Sequence, residues 1–160
     1  MRTVAFTEHH KADQEKISRE EMVRLLNEDL AREYQAIIAY TVYSQVLKGA
    51  PYTDIAGELE QHAAEELAHA LKISRQIDYF GGMPAVRPKE VKTSRDPKQM
   101  LEFDLENERQ TLIQYRQRVR QADAMGEFAL SEVLRNIMVQ EQEHLQDLAD
   151  ALGIEAPEIS

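Results

Sequence analysis

Four glutamates stand on four apolar helical stripes, and they form two pairs with the same internal spacing. Leu26, Leu30, Glu33, Ile37 and Tyr40 step by three or four residues, as do Leu59, Ala63, Glu66, Ala70 and Ile73. The same period carries Leu101, Leu105, Glu108, Leu112 and Tyr115, and then Leu134, Met138, Glu141, Leu145 and Leu148. Such a period places each glutamate on the face that a helix turns toward a core. A carboxylate buried without a partner costs on the order of several kcal/mol, and four together repel one another. Any fold of this chain must therefore set something positive among them.

Glu33 and Glu66 lie 33 residues apart, and so do Glu108 and Glu141. The second member of each pair opens a Glu-x-x-His, as Glu66-Leu67-Ala68-His69 and Glu141-Gln142-Glu143-His144. The first member has a tyrosine seven residues on, Tyr40 and Tyr115. One device thus occurs twice, 75 residues apart. Residues three apart share a helix face, so each Glu-x-x-His offers an oxygen and a nitrogen to a common ion. A glutamate from each of two helices plus a Glu-x-x-His from two others is the donor set of a di-metal carboxylate bundle. Carboxylate and imidazole donors suit iron or manganese. Glu20, Glu21, Glu28, Glu58, Glu65, Glu106 and Glu143 read as surface charge.

The periodicity predicts an all-α fold of four helices. Ser18 opens the first as N-cap, with Glu21 in capping-box position, and the stripe continues to about Lys48, before Gly49-Ala50-Pro51. The second runs from about Thr53 to Phe80 and stops at Gly81-Gly82. Asp96 and Pro97 open the third, which fades near Gln121. The fourth runs from about Met125 to Leu152, closed by Gly153. Helices of about 27 residues are roughly 40 Å long, and segment 83–96 can span roughly 45 Å when extended. That segment can cross the length of a bundle, whereas the turns at Gly49–Tyr52 and Ala122–Ala124 join antiparallel neighbours. The expectation is two helical hairpins joined by one long crossover, with residues 17–153 as the bundle and 1–16 and 154–160 as tails.

Composition narrows the functional classes. The chain has 160 residues, enough for one domain with its own core, and no cysteine, which excludes thiolate zinc, iron–sulfur ligation and disulfides. The net charge of −10 disfavours nucleic acid as a partner, and Arg116, Arg118 and Arg120 read as a solvated face. No apolar run reaches about 18 residues and the first 16 residues are polar, so neither a membrane span nor a secretory leader is expected, and the cytoplasm is the expected location.

The segments Leu26-Asn27 through Glu33 to Tyr40, and Glu65-Glu66-Leu67-Ala68-His69-Ala70 with the exit Gly81-Gly82-Met83-Pro84, resemble the bacterioferritin branch of the ferritin-like superfamily. The resemblance covers roughly Glu20 to Gly153. It implies a ferritin-like four-helix bundle with two iron ions per chain, manganese being the other fitting metal. The implied ligands are Glu33, Glu66, His69, Glu108, Glu141 and His144, with Glu66 and Glu141 bridging and Tyr40 beside the pair in a catalytic role. The implied reaction is oxidation of Fe(II) by O2 or hydrogen peroxide, in a homo-oligomer of two or more chains. Bacterioferritins that bind haem carry a methionine directly after the bridging glutamate of the second helix; here Leu67 stands there, so no haem is expected. The family's short fifth helix has no counterpart in Gly153–Ser160, which leaves a storage cage open.

Other readings of the same residues are a rubrerythrin-like peroxidase, a dimanganese catalase and a non-enzymatic storage or structural metal bundle. Rubrerythrins usually add a glutamate three residues after the third-helix ligand, where this chain has Thr111. Glu65 and Gln140 precede the bridging glutamates, where the family often has an acid that orients a ligand histidine; Glu65 could serve in that way, whereas Gln140 would serve at best as a neutral partner. His62, one turn before Glu66, reads as a surface or partly buried residue in preference to a partner of the site or an entry residue, Tyr115 as a core filler in preference to the repeat mate of Tyr40, and His9 and His10 as part of a solvated tail.

Overall fold

The computed structural model describes residues 16–160, so His9 and His10 lie outside the described residues. Four helices carry the fold: α1 (Arg19–Val46), α2 (Thr53–Tyr79), α3 (Pro97–Met125) and α4 (Phe128–Leu152). No strand occurs among the described residues. α1 packs against α2 and α3 against α4, and the two hairpins face each other through α1 with α3 and α2 with α4. These are the two helical hairpins joined by one long crossover that the stripes and the connection lengths predict.

The helix ends follow local chemistry. The Ser18 hydroxyl accepts the Glu21 N–H at 3.0 Å, but the Glu21 carboxylate pairs with Arg24, so the capping box is not reciprocal. Asp96 caps α3 through the Lys98 N–H, with Pro97 at the first helical position. α3 runs past Gln121 to Met125, and the turn into α4 is the short Gly126-Glu127 rather than Ala122–Ala124. Gly126 supplies the reason: at φ 74° it takes the left-handed conformation, letting the Glu127 N–H close on the Ala122 carbonyl at 2.9 Å. Residues beyond Gly153 form no helix, yet Arg116 donates to the Ile159 carbonyl and ties that segment to α3.

The crossover lies extended along α1. Its backbone has no ladder of its own, and α1 meets that need. Asn27 donates to the Met83 carbonyl at 3.0 Å and accepts the Ala85 N–H at 2.7 Å. The Lys89 N–H reaches the Ala31 carbonyl at 3.0 Å, Gln35 donates to the Glu90 carbonyl at 2.6 Å, and Tyr43 to that of Lys92. Gly82 permits the close start of this path, since a Cβ there would stand 2.4 Å from Val23 Cγ1.

The core is split in two. One apolar cluster contains Met22, Leu26, Ile73, Ile77, Leu130 and Leu134, and the other Tyr43, Leu47, Ile55, Leu59, Met100 and Leu101. The glutamates and histidines lie between them on all four helices. Beside this polar layer is a buried ion pair that corrects the reading of Arg118 as solvated. Arg118 is 1% exposed and grips Asp29 through Nε at 2.7 Å and Nη2 at 3.2 Å, while Arg32 adds a bond to Asp29 at 3.1 Å. Arg118 lies three residues after Tyr115, on the inner face of α3, and Asp29 supplies the charge that lets it stay there. Removing one member strands the other in the core, so Arg118→Met is expected to destabilise the protein by about 3–5 kcal/mol, with Asp29→Leu in the same chain restoring most of it. Denaturant unfolding of the single and double variants measures this directly.

Candidate metal centre

Glu33 on α1, Glu66 and His69 on α2, Glu108 on α3, and Glu141 and His144 on α4 meet at mid-bundle, all at most 2% exposed. Their ligand atoms form two overlapping groups, Glu33–Glu66–His69–Glu141 and Glu66–Glu108–Glu141–His144, with the atoms of each group within 4.8 Å of one another. Glu66 and Glu141 belong to both. Glu66 turns Oε2 to His69 Nδ1 at 2.9 Å and Oε1 to His144 Nδ1 at 3.0 Å. Glu141 turns Oε1 to His69 at 3.1 Å and Oε2 to His144 at 3.3 Å. Of the two histidines, Glu33 approaches only His69, through Oε2 at 3.5 Å, and Glu108 only His144, through Oε1 at 3.6 Å. The layout is two three-oxygen, one-nitrogen sets that share their middle carboxylates.

Each unshared glutamate is held by a tyrosine from the other hairpin. Tyr40 on α1 donates to Glu108 Oε1 at 2.5 Å, and Tyr115 on α3 donates to Glu33 Oε1. Tyr115 is therefore not mere core filler but the repeat mate of Tyr40. Burial, reinforced by the adjacent carboxylates, pushes both phenols well above their usual pKa, so both remain hydrogen-bond donors. The distal nitrogens of the histidines are also held across the hairpins. His144 Nε2 meets Glu65 Oε2 at 2.6 Å, and His69 Nε2 meets Gln140 Oε1 at 2.6 Å. Partners of this kind fix the ring and direct Nδ1 into the centre.

The groups titrate as one assembly. Burial and the neighbouring carboxylates push Glu66 and Glu141 well above the ordinary range. Burial acts the same way on Glu33 and Glu108, but hydrogen bonds from the facing carboxylic acids and from His69 and His144 outweigh it, holding Glu33 low and Glu108 at about 2. Burial disfavours a charged imidazole, yet the three carboxylates that face each one raise His69 and His144 above the usual histidine range. With all four carboxylates ionised, Glu33 Oε2, Glu108 Oε2 and Glu141 Oε2 have no hydrogen-bond partner. Hard oxygen donors left without protons to accept, in a closed pocket with two imidazoles, fit divalent cations.

Two buried polar residues beside the centre, Asp29 and Asp104, have no reading in the sequence analysis, and a third, His62, is buried more deeply than its reading there. His62 is 3% exposed, not a surface residue; its ring stacks on His144 at 4.0 Å and its Nε2 meets Asp147 Oδ2 at 3.1 Å. Asp104 and Asp29 lie one turn before Glu108 and Glu33, both buried. Their signal was positional, since each stands four residues before a glutamate of the stripe, where His62 also stands before Glu66. A cleft of about 170 Å³ between α2 and α4 reaches His62 and His144, bordered by Glu58, Glu65, Glu143 and Asp147.

The family model described as the ferritin-like domain matches residues 23–155. The chain is similar to the bacterioferritin of Brucella melitensis, 24% identical over 83% of each chain. It also resembles the solved structure of a ferritin-like, diiron-carboxylate protein from Bacillus anthracis, 31% identical over 85% of this chain and 99% of that one, with a TM-score of 0.81. A bacterioferritin-related protein of Bacteroides fragilis, described as a dodecameric thioferritin, is 29% identical over 89% of this chain and 90% of its own, with a TM-score of 0.79.

Proposed function

Because the chain belongs to the ferritin-like domain family, as a bacterioferritin-like member, we propose that its twin donor set is a di-iron centre that oxidises Fe(II). The observation that carries this reading is the sharing of Glu66 and Glu141, each of which turns one oxygen to each histidine. Glu33 and His69 would complete one position and Glu108 and His144 the other. With six side chains to hold two ions, the centre would leave the bound pair accessible to O2 or hydrogen peroxide.

When bound, the iron pair supplies two electrons to the oxidant. The balance is two Fe(II), one O2 and two protons giving two Fe(III) and hydrogen peroxide, or, with peroxide as oxidant, two molecules of water. The protein's part is positional and electrostatic. The shared carboxylates offset charge as the ions become ferric. Tyr40 orients Glu108 and has a proton at hydrogen-bond distance from it, and Tyr115 does the same for Glu33. The acidic cleft over His62 and His144 draws cations toward the bundle. Leu67 offers no sulfur to a haem iron. Ile38, Val42 and Val46 form an exposed apolar stripe on α1, which supports association of copies of this chain. Among the described residues no helix is long and apolar enough to cross a membrane, and cytoplasmic work on Fe(II) is the reading that fits.

Stepwise addition of Fe(II) to the metal-free protein in air tests the proposal. Rapid formation of ferric iron, read by absorbance and ending near two per chain, is the expected result. Continued uptake to many irons per chain would add storage to the same centre. Oxidation no faster than in buffer would overturn the ferroxidase reading and favour manganese or peroxide chemistry.

A further inference from the structure

The repeat that builds the centre is matched donor for donor except where the histidines are held. Glu33 and Glu108, Glu66 and Glu141, His69 and His144, and Tyr40 and Tyr115 are all like pairs 75 residues apart. Glu65 and Gln140 have the same separation but are unlike. His144 Nε2 donates to a carboxylate and His69 Nε2 to a neutral amide, both at 2.6 Å. A charged acceptor draws the distal proton more strongly than an amide, which makes the facing Nδ1 a better electron donor to a metal.

A second break falls on the same side. His62 stacks on His144 with 27° between the rings and is itself held by Asp147, so the His144 ring is braced on its face as well as at its edge. The repeat equivalent of His62 is Ile137, a member of an apolar cluster. The acidic cleft also opens at His144, so its negative charge favours a cation on that side.

We propose that the two metal positions are inequivalent, with the His144 position binding a divalent cation first and more tightly, and that the Glu65–Gln140 difference sets the order. The proposal rests on the di-metal reading above. Glu65 and Gln140 are positioning residues, acting through the imidazoles they hold.

The test is titration of the metal-free full chain with Co(II), followed by its visible absorption, by calorimetry and by the shifted imidazole N–H resonances in the proton NMR spectrum. The wild-type protein is expected to bind two Co(II) in steps separated by about 10–100-fold, the range that such outer partners command. The first equivalent should shift one imidazole N–H resonance, and Glu65→Gln should move that resonance and weaken the first step toward the second. Gln140→Glu should do the reverse, strengthening the second step by about 10-fold or more. A gain of affinity of this kind cannot arise from a damaged fold. Two wild-type steps no further apart than statistics require would overturn this inference alone, as would a Gln140→Glu protein whose second step is unchanged. Absence of Co(II) binding to the wild-type protein would overturn both this inference and the di-metal reading.

Discussion

Glu66→Gln is expected to strip metal from both positions at once while leaving the metal-free fold intact. Glu66 stands in both groups of candidate ligands, with one oxygen toward each histidine, so on the di-iron proposal its loss would remove one donor from each ion. Losing a partner of a ligand already costs about 10–100-fold in metal affinity, so losing a shared ligand should exceed about 100-fold at each position. Iron oxidation should fall to the rate in buffer. Stability without metal should scarcely change, because burial and the facing carboxylates keep Glu66 protonated and a glutamine side chain is its neutral isostere. Glu141→Gln should behave alike for the same reasons. Glu33→Gln and Glu108→Gln should differ in kind, each weakening one position and sparing the other. Metal content after dialysis, oxidation rate and denaturant midpoint separate these outcomes. A Glu66→Gln protein that keeps one ion at wild-type affinity would show that the carboxylate is not shared.

The helices and their inward faces were legible because an apolar period of three to four has only one folded use. The four central glutamates were legible as violations of that period, charged where the stripe demands an apolar side chain, and the two histidines by standing three residues after Glu66 and Glu141. What stayed hidden has a common physical origin. Asp29 and Arg118 lie 89 residues apart, and Arg118 is tolerable in the core because Asp29 faces it from the other hairpin. A periodicity scored along one helix sees neither partner. Arg118 was grouped with Arg116 and Arg120 by closeness in sequence, although only Arg118 falls on the inner face beside Tyr115. His62 was hidden in the same way, because its burial depends on Asp147 from α4 and on the His144 ring. The turn between α3 and α4 was misplaced because the apolar stripe thins before the helix ends. There the boundary belongs to Gly126, whose φ of 74° an L side chain seldom adopts.

The largest linked effect should be that of pH on metal binding and on the metal-free fold. Four glutamates balance two divalent cations, provided that both imidazoles are neutral and all four carboxylates are ionised. The metal-free centre tends to neutrality differently: its surroundings push Glu66 and Glu141 toward the protonated form, Glu33 and Glu108 toward the ionised form, and both histidines toward the charged form. Binding two divalent ions near pH 7 should therefore release about four protons per chain, and the apparent affinity for the pair should rise steeply with pH. The stability of the metal-free protein should move the other way. Glu66 and Glu141 are raised above the 4.5 of a free carboxyl, so their contribution is full below that pH and is lost as pH rises toward their folded values. His69 and His144 are raised above 6.5, so theirs is full below 6.5 and declines as pH climbs beyond it. Glu108, held at about 2, opposes them only in acid, since its contribution is present above 4.5 and is lost as pH falls through about 2. The metal-free Tm should thus fall between pH 6 and pH 8, whereas that of the protein saturated with Co(II) should hold or rise, because unfolding of the loaded chain releases the metal rather than protons. A pH indicator in weakly buffered solution counts the protons released, and thermal melts with and without Co(II) follow the stability. Release of fewer than one proton per ion, together with a metal-free Tm that climbs with pH, would mean that the four carboxylates are already ionised before metal arrives.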